Sequence, residues 1–143
     1  DWWTKEDRQK FEAKTNLIVE QFNNYVVLDS MHVRGENTQG ENIADLGGVI
    51  MGLEAFKKTK QGQSAELFGG YTATQRYFLA YGYAWMVNRT DASLAKQIMS
   101  DVHSPAEFRI NGPLSDIDEF YKAFNIKEGD KMYRPADKRV KIW

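Results

Sequence analysis

With 143 residues, 42% of them hydrophobic and 13% aromatic, the chain is long enough for one domain with a sizeable core. Its 19 basic and 20 acidic residues leave a net charge of −1, which gives no long-range pull on a phosphate backbone or an anionic lipid surface. There is no cysteine, so disulfides, thiolate metal sites and cysteine nucleophiles are excluded. The histidines are His32 and His103 alone. A zinc site normally takes about three or four protein ligands, mostly His or Cys, so a self-contained one is not expected. No apolar run approaches the roughly 20 residues of a membrane span. The start carries no signal-peptide pattern. A chain opening at Asp1 without methionine reads as an excerpt or a processed product.

The first predicted helix covers residues 4–28, with Phe11, Ile18, Phe22 and Tyr25 forming one apolar stripe. Residues 29–40 read as a loop punctuated by Gly35 and Gly40. A second helix is expected after Thr38, with Thr38 as N-cap and Glu41 completing a capping box. Ile43, Leu46, Ile50 and Leu53 give it an apolar face. Gly47 and Gly48 inside it each cost about 1 kcal/mol relative to Ala, which suggests close approach by a neighbour. Residues 59–70 read as a loop. A third helix spans 72–87, with Phe78, Tyr81 and Trp85 on one face. A short helix follows at 92–99. Residues 101–113 look irregular, because Pro105, Gly112 and Pro113 interrupt them. Ser115 is then expected to cap a helix over 116–124. The polar tail from Asn125 closes on apolar residues, which points to a docked terminus. The architecture is mainly α, with few or no strands and no domain boundary within 1–143.

Two groups of residues carry candidate chemistry. Glu41 and Asp45 lie four apart, so a helix sets both carboxylates on one face. On spacing alone Glu41 reads as a helix cap and Asp45 as a solvated charge. The alternative is that one carboxylate ligates a metal while the other orients a ligating histidine. Asp101, His103 and Arg109 form the second group. An Asp can aim a His at a developing oxyanion, and the planar fork of an Arg can hold a carbonyl or carboxylate. The competing reading is a turn-capping Asp, a surface His and a structural ion pair.

The segment 40–48, GENIADLGG, resembles the glutamate helix of the neprilysin and endothelin-converting-enzyme family of zinc metallopeptidases. Three further stretches resemble the same family in the same order. They are DWWT at 1–4, DVHSP at 101–105 followed by Phe108 and Arg109, and the closing Ile142 and Trp143. The resemblance covers essentially the whole chain. It implies the helical C-terminal portion of a thermolysin-like (gluzincin) catalytic domain, in a parent that hydrolyses peptide bonds with zinc and water. In that reading Glu41 is a zinc ligand and Asp45 orients a ligating histidine. His103 stabilises the oxyanion with Asp101 holding its ring. Arg109 binds the carbonyl of the substrate residue after the cleaved bond, and Trp85 and Ala84 line the pocket for that residue's side chain, which is expected to be large and apolar.

The family's H-E-x-x-H is absent from the sequence, and with it the general base and two zinc ligands. The chain by itself is therefore expected to be inactive and to bind zinc weakly. Its partners are expected to be a peptide substrate and the remainder of the same polypeptide, with self-association through apolar surface as a further expectation. The absence of the cysteines seen in the family's animal members favours a bacterial source but does not fix the compartment; a periplasmic, cell-surface or secreted location is expected ahead of a cytoplasmic one from the resemblance. The competing function is a non-catalytic helical binding module descended from a peptidase. An H-E-x-x-H upstream of Asp1 decides between the two.

Overall fold

The computed structural model describes residues 2–142, so the expectations resting on Asp1 and Trp143 lie outside the described residues. Six α-helices and one small hairpin follow in the order α1 (Lys5–Asn23), β1 (Val26–Leu28), β2 (Met31–His32), α2 (Gly35–Lys57), α3 (Ala73–Ala84), α4 (Asp91–Ser100), α5 (Ala106–Leu114) and α6 (Asp118–Phe124). The mainly α expectation holds, with the hairpin as its exception.

α1 starts where Thr4 accepts a hydrogen bond from the Asp7 N–H. It ends five residues short of the predicted stop. The β-branched Val26 and Val27 leave the helix, and the strand pairs antiparallel, Val26 with His32 and Leu28 with Met31, across a turn in which Asp29 takes φ 46°. Ile18 and Phe22 from the predicted stripe are buried in the core, whereas Phe11 packs edge-on to Trp3 at 5.1 Å.

α2 begins at Gly35, not after Thr38. Asn23 at the end of α1 accepts the Gly35 N–H at 2.6 Å, so a residue from a neighbouring helix replaces the expected capping box. Thr38 is consequently buried inside the helix, and its hydroxyl donates to the Arg34 carbonyl. The close approach inferred at Gly48 falls elsewhere, while Gly47 is buried as a close neighbour requires. A Cβ at Gly48 would meet open space, but one at Gly35 would lie 2.3 Å from the Val19 carbonyl oxygen. Leu46, Val49 and Leu53 bury the inner face of α2 against α1, α3 and α5.

The stretch 101–113 is half loop and half helix. Pro105 sits just before α5 with φ −55°, which suits a helix start. Pro113 lies in the last turn and cannot donate to the Arg109 carbonyl four residues back. The Tyr81 hydroxyl donates to that carbonyl instead, at 2.9 Å, which removes the penalty that sequence reading assigned to the proline. Ser115 closes α5 by donating to the Asn111 carbonyl and does not cap α6, which starts after Ile117. The tail docks as expected, with Val140 buried in the core.

Candidate active site

α2 supplies one wall of the site, the 101–105 loop a second, and the first turn of α5 with the end of α3 a third. The loop leaves α4 at Asp101, whose carboxylate closes a tight turn. Its Oδ1 accepts the backbone N–H of His103 at 2.9 Å and the ring Nδ1–H of His103 at 2.8 Å. The His103 backbone N–H is the main cause holding the Asp101 carboxyl below its usual range, and the ring contact adds to it. This fixes the ring within the loop and leaves Nε2 pointing outward. Nε2 lies 3.3 Å from Glu41 Oε2 on α2. The His103 and Glu41 side chains are 40% and 41% exposed, so the pair forms an open edge and not a core contact.

Glu41 thus does not cap its helix at Thr38, the role its spacing suggested, and its half-exposed carboxylate meets His103 instead. Asp45, one turn on, holds Arg109 in a two-pronged pair. Arg109 Nε donates to Oδ2 and Nη2 to Oδ1, both at 2.7 Å. The Arg109 guanidinium also lies 3.9 Å over the Trp85 ring. The Asp45 hydrogen bonds are the main cause raising the Arg109 pKa further above its ordinary value. The Nη1 group takes no part in this pair and remains a donor of fixed orientation. Asp45 oxygens each keep a second lone pair, so the pair with Arg109 leaves room for another donor.

Trp85, Ala84, Arg109, Asp101 and His103 line one shallow cavity of about 340 Å³, with Met86 and Val87 adding apolar surface at its rim. The structure therefore brings together all seven residues singled out in the sequence, with Glu41 and Asp45 joined to this cavity through His103 and Arg109. Sequence reasoning missed the residues beneath. Asn42 and Ser104 are each 1% exposed and hydrogen-bonded to each other at 2.7 Å. The signal was present as a polar row on a largely apolar helix, Thr38, Asn42 and Asp45 at spacings of four and three.

Among the described residues no group of three or more His, Asp or Glu is arranged to hold a metal ion. Glu41 nevertheless has the right chemistry for one zinc ligand. It is an accessible carboxylate, free of any backbone cap, beside an imidazole on the same open edge. Among the described residues no helix is long and apolar enough to cross a membrane.

The model of peptidase family M13 matches residues 1–140. This chain belongs to that family. It is 39% identical to neprilysin-2 of Drosophila melanogaster, over 100% of the chain and 19% of that protein. It is 36% identical to an endothelin-converting enzyme homolog of Locusta migratoria, over 99% of the chain and 20% of that protein. The zinc metalloprotease ZMP1 of Mycobacterium tuberculosis, solved in complex with an inhibitor, superposes with a TM-score of 0.94 at 38% identity, covering 100% of this chain and 23% of that one. The M13 chain thus spans about a fifth of the length of the curated relatives it matches. Its helical fold is that of the corresponding portion of M13 zinc metalloproteases.

Proposed function

We propose that this chain is the C-terminal part of the catalytic domain of a zinc-dependent endo- or oligopeptidase, and that it contributes one metal ligand and the oxyanion-binding groups. The observation that carries this reading is the convergence of Glu41, His103 and Arg109 on one cleft, with Glu41 meeting His103 at its open edge, Asp101 behind His103 and Asp45 behind Arg109. Membership of family M13 supports it.

Glu41 would hold zinc together with donors outside these 143 residues. Zinc bound there supplies Lewis acidity toward a peptide carbonyl and toward water. His103, with both ring nitrogens protonated, would donate from Nε2 to the carbonyl oxygen as charge develops on it, and Asp101 would keep the ring aimed. Arg109, anchored by Asp45 and Trp85, offers Nη1 to the backbone carbonyl beyond the cleaved bond. Asp45 would also accept from a ligating histidine. Trp85, Ala84, Met86 and Val87 would form the apolar side of the adjoining pocket, against which an apolar side chain of the substrate would pack, while Arg89, Gln97, Asp101 and Arg109 make its other side polar. A second apolar groove of about 770 Å³, lined by residues such as Leu79, Tyr83, Met86 and Phe124, suits packing of the remainder of the same polypeptide or self-association.

The test is hydrolysis of a quenched-fluorescent peptide by the full-length polypeptide, abolished by chelator and restored by zinc. Absence of hydrolysis with zinc loaded would sink the reading and favour a binding module. The chain alone is expected to show no peptide hydrolysis and no submicromolar zinc site in titration calorimetry. A tight site lost in Glu41→Gln would overturn that expectation.

A further inference from the structure

His103 and Glu41 belong to different elements, and the contacts that orient each one are local. Asp101 fixes the His103 ring within its own loop, and the backbone of α2 fixes Glu41. Neither sets the distance between them. The groups that cross from α2 to the loop are the side chains next to them in sequence. Ser104 donates its hydroxyl proton to Asn42 Oδ1 at 2.7 Å, and Asn42 Nδ2 donates to Thr38 Oγ1 at 2.9 Å. All three are at most 4% exposed. Asn37, four residues before Glu41, adds a donor to the Asp101 carbonyl at 3.0 Å. On the far side, Gln97 of α4 lies with Nε2 3.3 Å from the His103 carbonyl and 3.4 Å from that of Ser104.

A buried hydroxyl–amide pair has a narrow range of allowed lengths, because either group left unpartnered pays a desolvation penalty. An exposed contact such as Glu41–His103 has no such constraint. The geometry points to the Asn42–Ser104 hydrogen bond as a positioning element that sets the spacing of His103 Nε2 from Glu41, making Asn42 and Ser104 positioning residues for the oxyanion-binding histidine. This rests on the peptidase reading for its catalytic consequence, but the spacing itself does not depend on that reading.

The test separates the hydroxyl from its volume. Ser104→Thr and Ser104→Val add nearly the same bulk, and only Thr keeps the donor; Ser104→Ala removes the donor without adding bulk. Ring ¹⁵N signals of His103 and His32 are recorded in the 143-residue chain, with His32, on the hairpin, as internal control. The Nε2 signal of His103 should move in the Ala and Val variants and return toward wild type in Thr. The Nδ1 signal, set by Asp101, and both His32 signals should stay in place. In the full-length peptidase, kcat should fall on the order of 10- to 100-fold in Ala and Val with KM within about twofold, and Thr should recover most of it. An unmoved Nε2 signal in Ser104→Ala overturns the proposal. So does an equal loss of kcat in Thr and Val, which would assign the effect to packing. If Val does not fold, the Ala and Thr variants decide alone. A wild-type polypeptide without hydrolysis would refute the function while the ring signals still decide the positioning.

Discussion

The cleft formed by α2, the 101–105 loop and α5 leaves Glu41, Asp101 and His103 half-open to solvent, whereas the C-terminal segment closes over its own charges. In the cleft, Glu41 and His103 meet at 3.3 Å with much of each side chain exposed. Across the molecule, Asp116 is 3% exposed and accepts the Val140 N–H at 2.9 Å, with Arg134 Nε at 3.3 Å but not aligned as a hydrogen bond. The Tyr121 hydroxyl accepts the Arg134 N–H at 2.6 Å, and Arg139 lies 3.9 Å over the Tyr121 ring while pairing with Asp118. The same residue types do opposite work. Exposed charges on a rigid base remain available to a ligand, and buried ones hold the chain end in place.

The largest expected effect is on activity. His103→Ala in the full-length peptidase should lower kcat by about 10²- to 10³-fold, with little change in KM. Its urea midpoint should hardly move, because a half-exposed side chain leaves no cavity. A variant with normal kcat would remove His103 from the mechanism. A variant that loses stability instead would place the cleft with the closed end of the molecule.

A pH effect comes next and belongs to the closed end. Burial pushes the Asp116 carboxyl up to about 6, against the lowering effect of the Val140 N–H and Arg134. Between about pH 4 and 6 the folded state therefore binds more protons here than the unfolded chain, so this group's contribution to stability falls as pH rises through that window. A shift of about two pKa units corresponds to roughly 3 kcal/mol. In urea titrations the stability of wild type relative to Asp116→Asn should fall by up to that amount from pH 4 to 7. A difference independent of pH would show that Asp116 is not held in this way.

The sequence announced the open region far better than the closed one. Glu41, Asp45, Asp101, His103 and Arg109 were legible because the family motifs contain them, and the helical class followed from apolar spacing. Four tertiary effects were not legible. Asn23 caps α2 from a neighbouring helix and moves its start before Thr38, so no local pattern reveals it. Tyr81 satisfies the carbonyl that Pro113 leaves open, so a helix survives where proline and glycine suggested none. Asn42 and Ser104 lie 62 residues apart, and only the fold makes them partners. A structural ion pair was among the readings for Arg109, but Asp45 as its partner was hidden for the same reason, 64 residues away in sequence.

The smallest effect asks whether the two regions are independent. Tyr121→Phe keeps the ring and its contact with Arg139 and deletes only the hydroxyl, which sits between the Arg134 N–H and the Ser115 and Met132 carbonyls at 2.9 and 3.1 Å. Leaving these backbone groups without that partner should cost about 1–3 kcal/mol. Hydrogen exchange should quicken at the Arg134 and Val140 amides and stay unchanged at the amides of α2. The route by which the loss could spread is α5, because Ser115 closes that helix and Arg109 stands near its other end. Yet Arg109 is held by Asp45, Trp85 and, through its carbonyl, Tyr81, which belong to α2 and the end of α3 and not to the tail. The ring signals of His103 should therefore be those of the wild type. If they move with the tail, α5 transmits strain between the two ends, and the cleft is set by the closed region as well as by the Asn42–Ser104 bond.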